Sequence, residues 1–148
     1  MELRERLIAQ LENLLEDAYE AEALYKEASR QLHNPALSCL FEEDAEERLT
    51  FAQRLRHEIF KLEGDPAPTL VPNARERARG RMEQNSAEDS ALVHVCHEQE
   101  LNFIMHFDRA MGVDDLPDET RKVLEKQRRF LVEHLETLEL LEEKACAA

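Results

Sequence analysis

Apolar residues recur every three or four positions along most of the chain and fall into four runs, the spacing of amphipathic helices. Leu7, Leu11, Leu14, Ala18, Tyr25 and Leu32 predict a first helix over about residues 3–32. "HNPAL" interrupts it: Asn34 suits an N-cap and Pro35 a first helical turn. Leu37, Phe41, Ala45, Ala52, Leu55, Ile59 and Leu62 predict a second helix over about 35–63, with Gly64 expected in a left-handed C′ position. A third helix spans about 86–111, opened by the capping signal "SAED" and closed by Gly112. A fourth runs over about 117–144, with Val123, Phe130, Leu131, Leu138 and Leu141 inward. Short turns make the members of each pair antiparallel neighbours, and the connector of about residues 64–85 is long enough to cross the bundle. The expectation is one all-α domain over 1–148, an antiparallel four-helix bundle.

Composition narrows the partners. The 148 residues carry a formal charge of −14, which repels nucleic-acid phosphates and anionic lipid. No run reaches transmembrane length, and "MELRERLIAQ" has no apolar leader core. The cysteines Cys39, Cys96 and Cys146 form no Cys-x-x-Cys pair, which fits reduced thiols in the cytoplasm. Cys39 and Cys96 read as small buried hydrophobes. "NARERARGRM" reads as a short helix or an early start to the third helix, and its four arginines as docking onto the acidic bundle. Val95, Leu101 and Met105 lie off the third helix's main stripe, so that helix needs cover from the connector or from a second copy in a homodimer.

Polar residues inside the stripes carry the candidate chemistry. At about 100° per residue, Glu22 falls on the apolar face of the first helix and Asp44 and Arg48 on that of the second. Glu100 falls inward on the third helix, and Gln127 and His134 on the fourth. Glu22, Asp44, Arg48, Glu100 and Gln127 sit at similar distances from the turns, near the middle of helices roughly 40 Å long. A polar layer across the bundle centre follows. Buried carboxylates need positive charge, from metal ions or from the forked guanidinium of Arg48. "HVCHEQELNFIMH" is rich in metal-ligating types, but His94 points outward, His97 and His106 sit on opposite edges, and the three are not expected to converge.

"LLEDAYEAEALYKEASRQLHNPALSCLFEEDAEERLTFAQRLRHEI" and "LPDETRKVLEKQRRFLVEHLETL" resemble the ferritin-like superfamily, and look closest to a bacterial ferritin-like family of unknown function. Active di-iron members of that superfamily use a glutamate on each of two helices and Glu-x-x-His on each of the others. The resemblance therefore implies iron or manganese ligands at Glu22, Glu47, Glu100 and His134. The chain departs from the pattern: it contains no Glu-x-x-His, and Leu131 stands three before His134. The leading expectation is a non-enzymatic bundle, structural, stress-associated or interacting, with no cofactor. In it Glu22, Asp44, Arg48, Glu100, Gln127 and His134 form a charge network. The alternative is a non-haem di-iron oxidase, peroxidase or iron-handling protein.

Overall fold

Asn34 caps the start of the second helix. Its side-chain oxygen accepts from the N–H groups of Ala36 (3.0 Å) and Leu37 (3.2 Å), and Pro35 fills the first turn. In the computed structural model, which describes residues 2–85 and 88–147, this turn joins α1 (Leu3–Gln31) to α2 (Pro35–Lys61). The pair is antiparallel: Ser38 meets Ser29, Arg56 meets Tyr19, and Arg4 meets Glu63. At the end of α2 the left-handed residue is Glu63 (φ 63°), not the expected Gly64. Gly64 is needed for space instead, since a Cβ there would meet Ile59 Cγ2 at 2.7 Å.

The connector contains a helix of its own, α3 (Leu70–Gln84). Leu70, Ala74, Ala78 and Met82 recur every four residues and are all buried, a narrow stripe that lets α3 lie close along α1. Arg77 and Arg81 fasten its outer edge to Glu16 and Glu20 on α1, at 2.7–3.3 Å. Leu70 and Ala74 join the core around Leu7 and Leu11, whereas Ala78 and Met82 join that around Ala23 and Leu24. α3 therefore runs parallel to α1 and carries the chain from one end of the bundle to the other.

Then follow α4 (Asp89–Met111) and α5 (Asp118–Ala147). Glu88 stands at the N-cap of α4; the capping role read for Ser86 lies outside the described residues. Asp89 accepts from the backbone N–H groups of His33 (2.9 Å) and Asn34 (3.2 Å), which ties the α1–α2 turn to the start of α4. α4 is antiparallel to α1, with His106 against Asp17, Glu100 against Tyr25 and Asp89 against His33. It is also antiparallel to α5, with His94 against Glu142 and Arg128 against Asp108. α2 and α5 close the ring: His134 meets Asp44 and Thr120 meets Glu58. The architecture is an all-helical bundle of four long helices with α3 strapped along the outside.

One apolar cluster fills the end around Leu11, Leu55, Phe103, Phe107 and Leu124, and a second fills the other end around Leu24, Phe41, Leu92 and Leu138. The connector covers part of the broad apolar surface of α4. Val95 packs with Ala78 and Met82, and Arg81 donates to its carbonyl; Leu101 and Met105 stay exposed. Cys96 is buried but Cys39 is exposed, against expectation, because it lies on the outer side of α2. The side chain of Cys146 lies outside the described residues. Among the described residues no helix is long and apolar enough to cross a membrane.

Candidate functional site

Between the two apolar clusters the four long helices each contribute polar side chains to one buried centre. Arg48 on α2 is fully buried, and Glu100 on α4 is 1% exposed. A long side chain with a charged tip reaches such a place only if the tip finds its charge there. Arg48 Nε (3.2 Å) and Nη2 (2.5 Å) both donate to Glu100 Oε1. Tyr25 on α1 donates its hydroxyl to the same oxygen at 2.7 Å. The guanidinium carbon lies 5.3–5.4 Å from the ring centroids of Tyr25, Phe51 and Phe130, so aromatic faces supply the rest of its surroundings.

His134 on α5 links this pair to Asp44. Its Nε2 lies 3.0 Å from Asp44 Oδ1, and its Nδ1 faces both Glu100 Oε1 (3.6 Å) and Arg48 Nη2 (3.2 Å). The protonated ring serves the carboxylates, whereas the neutral ring would accept from the guanidinium instead. Phe130, one turn earlier, stacks on the imidazole with centroids 6.1 Å apart. Burial disfavours the imidazolium, but hydrogen bonds to Asp44 and Glu100 and their charges outweigh it and raise its pKa to about 9. Burial likewise works against ionised Glu100, yet Arg48 and His134 hold its carboxyl below the ordinary 4.5. Two cations thus meet two carboxylates.

The arrangement offers little reactive chemistry. Burial, then the Glu100 charge, push the Tyr25 hydroxyl and the nearby Cys96 thiol well above their ordinary pKa values, so both keep their protons. Arg48 Nη1 and Glu100 Oε2 are buried without a hydrogen-bond partner among the described residues. A cleft of about 460 Å³ opens between α2 and α5, lined in part by Arg54, Lys122, Lys126 and Gln127. Phe51 and Phe130 also line it, and these are two of the rings packed on the guanidinium. They separate the cleft from the charges.

Of the six residues read as a polar layer, four meet: Asp44, Arg48, Glu100 and His134. Gln127 is buried beside them and donates to the Phe51 carbonyl at 3.4 Å. Glu22 is buried elsewhere, lining a cavity between α1 and α2 with Lys26, Ser38 and Glu42. Glu47 is half exposed, with its Oε2 3.8 Å from Arg48 Nη1. The set Glu22, Glu47, Glu100 and His134 therefore does not converge. At the centre a guanidinium occupies the carboxylate that a pair of metal ions would need, so these residues do not fit a di-metal group. Sequence reading passed over Tyr25, counted only as an apolar stripe residue, and Glu58, fully buried and bonded to Thr120 Oγ1 (3.0 Å) and Lys61 Nζ (3.1 Å). Glu58 had a signal: it lies three residues past Leu55, at the border of the stripe.

The three histidines of α4 do not converge, but two of them come together. His94 and His97 do meet, on α5 rather than on their own helix. Glu142 Oε1 lies 2.5 Å from His94 Nδ1 and Glu142 Oε2 lies 2.9 Å from His97 Nδ1. His106 is apart, paired with Asp17 at 2.5 Å.

The profile of the family described as "Domain of unknown function (DUF2383)" matches residues 6–112. That is more than half of the chain, which therefore belongs to this family. Tyr25, Asp44, Arg48 and Glu100 lie inside the matched span; His134 and Glu142 lie beyond it on α5. No curated protein matches the chain.

Proposed function

We propose that this member of the DUF2383 family is a ferritin-like bundle in which an ion-pair centre stands where metal-binding relatives hold a di-metal site, and that it acts as a structural or interaction protein without catalysis. The ferritin-like reading is supported by chain direction: two antiparallel helix pairs are joined by a crossover that runs the length of the bundle, a connection ferritin-like folds share. One observation carries the functional reading. The buried guanidinium of Arg48 sits on Glu100 Oε1 at 2.5 Å, and His134 and Asp44 complete a neutral quartet that has no need of an added cation.

Anaerobic Fe²⁺ titration of the chelator-treated chain tests it. The expected result is that Glu100→Gln leaves the iron-binding isotherm unchanged. Two ions bound per chain in the parent and lost in Glu100→Gln would overturn the proposal in favour of a di-iron oxidase, peroxidase or iron-handling protein.

A further inference from the structure

The side chains at the far edge of the α4–α5 pair present a different balance. His94 and His97 stand one turn apart on α4, and Glu142 comes from antiparallel α5 to face both. One donor atom from each residue can be chosen so that all lie within 4.8 Å of one another. The two Nδ1 atoms point at the shared carboxylate of Glu142. The far nitrogens point at carboxylates too. His94 Nε2 lies 2.7 Å from Glu98 Oε1, and His97 Nε2 lies 3.6 Å from Glu139 Oε1.

We propose that His94, His97 and Glu142 bind one divalent transition-metal ion of the zinc class, with a coordination position left open to solvent.

Three features carry this. Two imidazoles and a carboxylate form a three-ligand set that suits zinc and its first-row neighbours, whereas calcium and magnesium take oxygen ligands. On His94 an outer carboxylate completes a carboxylate–histidine–metal chain: with Nδ1 on the ion, Nε2–H can donate to Glu98 at 2.7 Å, which fixes the ring and raises its basicity. His97 Nε2, in contrast, is buried without a hydrogen bond among the described residues, 3.6 Å from Glu139. Finally, the ion-pair partners of Glu142 are the two imidazoles themselves. Among the described residues the ion pairs of this carboxylate are with imidazoles and none is with a guanidinium, unlike Glu100 with Arg48. A tetrahedral ion at about 2.0–2.1 Å from each donor sets the donors roughly 3.3 Å apart. Half-exposed His94 has room to swing the remaining distance. The ion would clasp α4 to α5 near the end of the helical pair, where Leu138 is the buried α5 residue in the apolar cluster.

The test uses the full untagged chain, stripped with chelator and kept reduced with a phosphine. Co²⁺ is titrated while its visible ligand-field bands are followed, and Zn²⁺ is then added in competition. The expected result is one Co²⁺ per chain, displaced by Zn²⁺. His94→Gln, His97→Gln and Glu142→Gln should each weaken binding tenfold or more, and Glu98→Gln should weaken it by a smaller factor. Glu100→Gln should leave it unchanged, which separates this site from the centre of the bundle. Circular dichroism melts of each variant show that it is folded when titrated. No saturable Co²⁺ binding overturns the proposal. So does binding that survives the His94→Gln/His97→Gln double variant, or a sulfur-to-cobalt charge-transfer band that places the ion on a cysteine.

Discussion

The centre of the bundle and the edge of the α4–α5 pair draw on the same residue types and resolve their charge in opposite ways. At the centre, two carboxylates and a histidine are enclosed with an arginine, the four are mutually paired, and Phe51 and Phe130 pack over the guanidinium. At the edge, two histidines gather around one carboxylate, partly open to water, with two more glutamates beside them. The decisive group is Arg48. A guanidinium within a carboxylate cluster competes with any metal ion for the same oxygens; where it is missing, the same ligand types face no such competitor.

The largest expected effect breaks the centre. Arg48→Ala leaves Glu100 buried without its cation and should cost about 3–5 kcal/mol in urea denaturation. A loss below about 0.5 kcal/mol, the range of a surface substitution, would show that the quartet is not held by charge. Next comes pH. The folded pKa of His134, about 9, lies above its ordinary 6.5. Its contribution is therefore complete below the unfolded value and is lost as pH rises through about 9. The shift is worth at most about 3 kcal/mol, and less because the neutral ring can accept from Arg48 instead. Glu100 has the opposite sign. Its pKa is lowered, so its contribution is present above the ordinary 4.5 and is lost as pH falls below it. Denaturation midpoints measured from pH 4 to 10 should fall at both ends. His134→Gln should flatten the alkaline arm most, with a smaller change in the acid arm because His134 also holds the Glu100 carboxyl down. Tyr25→Phe removes one of three donors to Glu100 Oε1 and should cost about 1–2 kcal/mol. At the edge, His94→Gln should change the stability of metal-free protein by about 0.5 kcal/mol or less, since His94 is half exposed. A larger loss there would mean that the edge, like the centre, is held by its own ion pairs.

Helix periodicity found what depends on one helix at a time. Asp44, Arg48, Glu100 and His134 all fall on apolar stripes, and a charge on a stripe is a charge that needs a partner. Glu22 also falls on its stripe, yet joins a separate cavity. α1 packs against α2, α3 and α4, so its inward face has several directions, and Glu22 follows the one toward α2. α3 is half legible: "NARERARGRM" reads as a short helix or an early start to the next one, and a stripe of Leu70, two alanines and Met82 amid arginines is too narrow to decide between them. The meeting of His94 and His97 depends on Glu142, forty-five residues past His97. A helical wheel of α4 alone shows one histidine pointing outward and one at the edge of the apolar face, and gives no sign of the third ligand.

The quartet also has a consequence for assembly. Leucine-rich helices can slip past each other by a turn, about 5.4 Å, and still bury similar hydrocarbon. Here such a slip would carry Arg48 away from Glu100 and His134 away from Asp44, stranding ions among aliphatic side chains. One alignment of the two hairpins is thereby favoured over its neighbours, and the strands of grease on either side need not encode it.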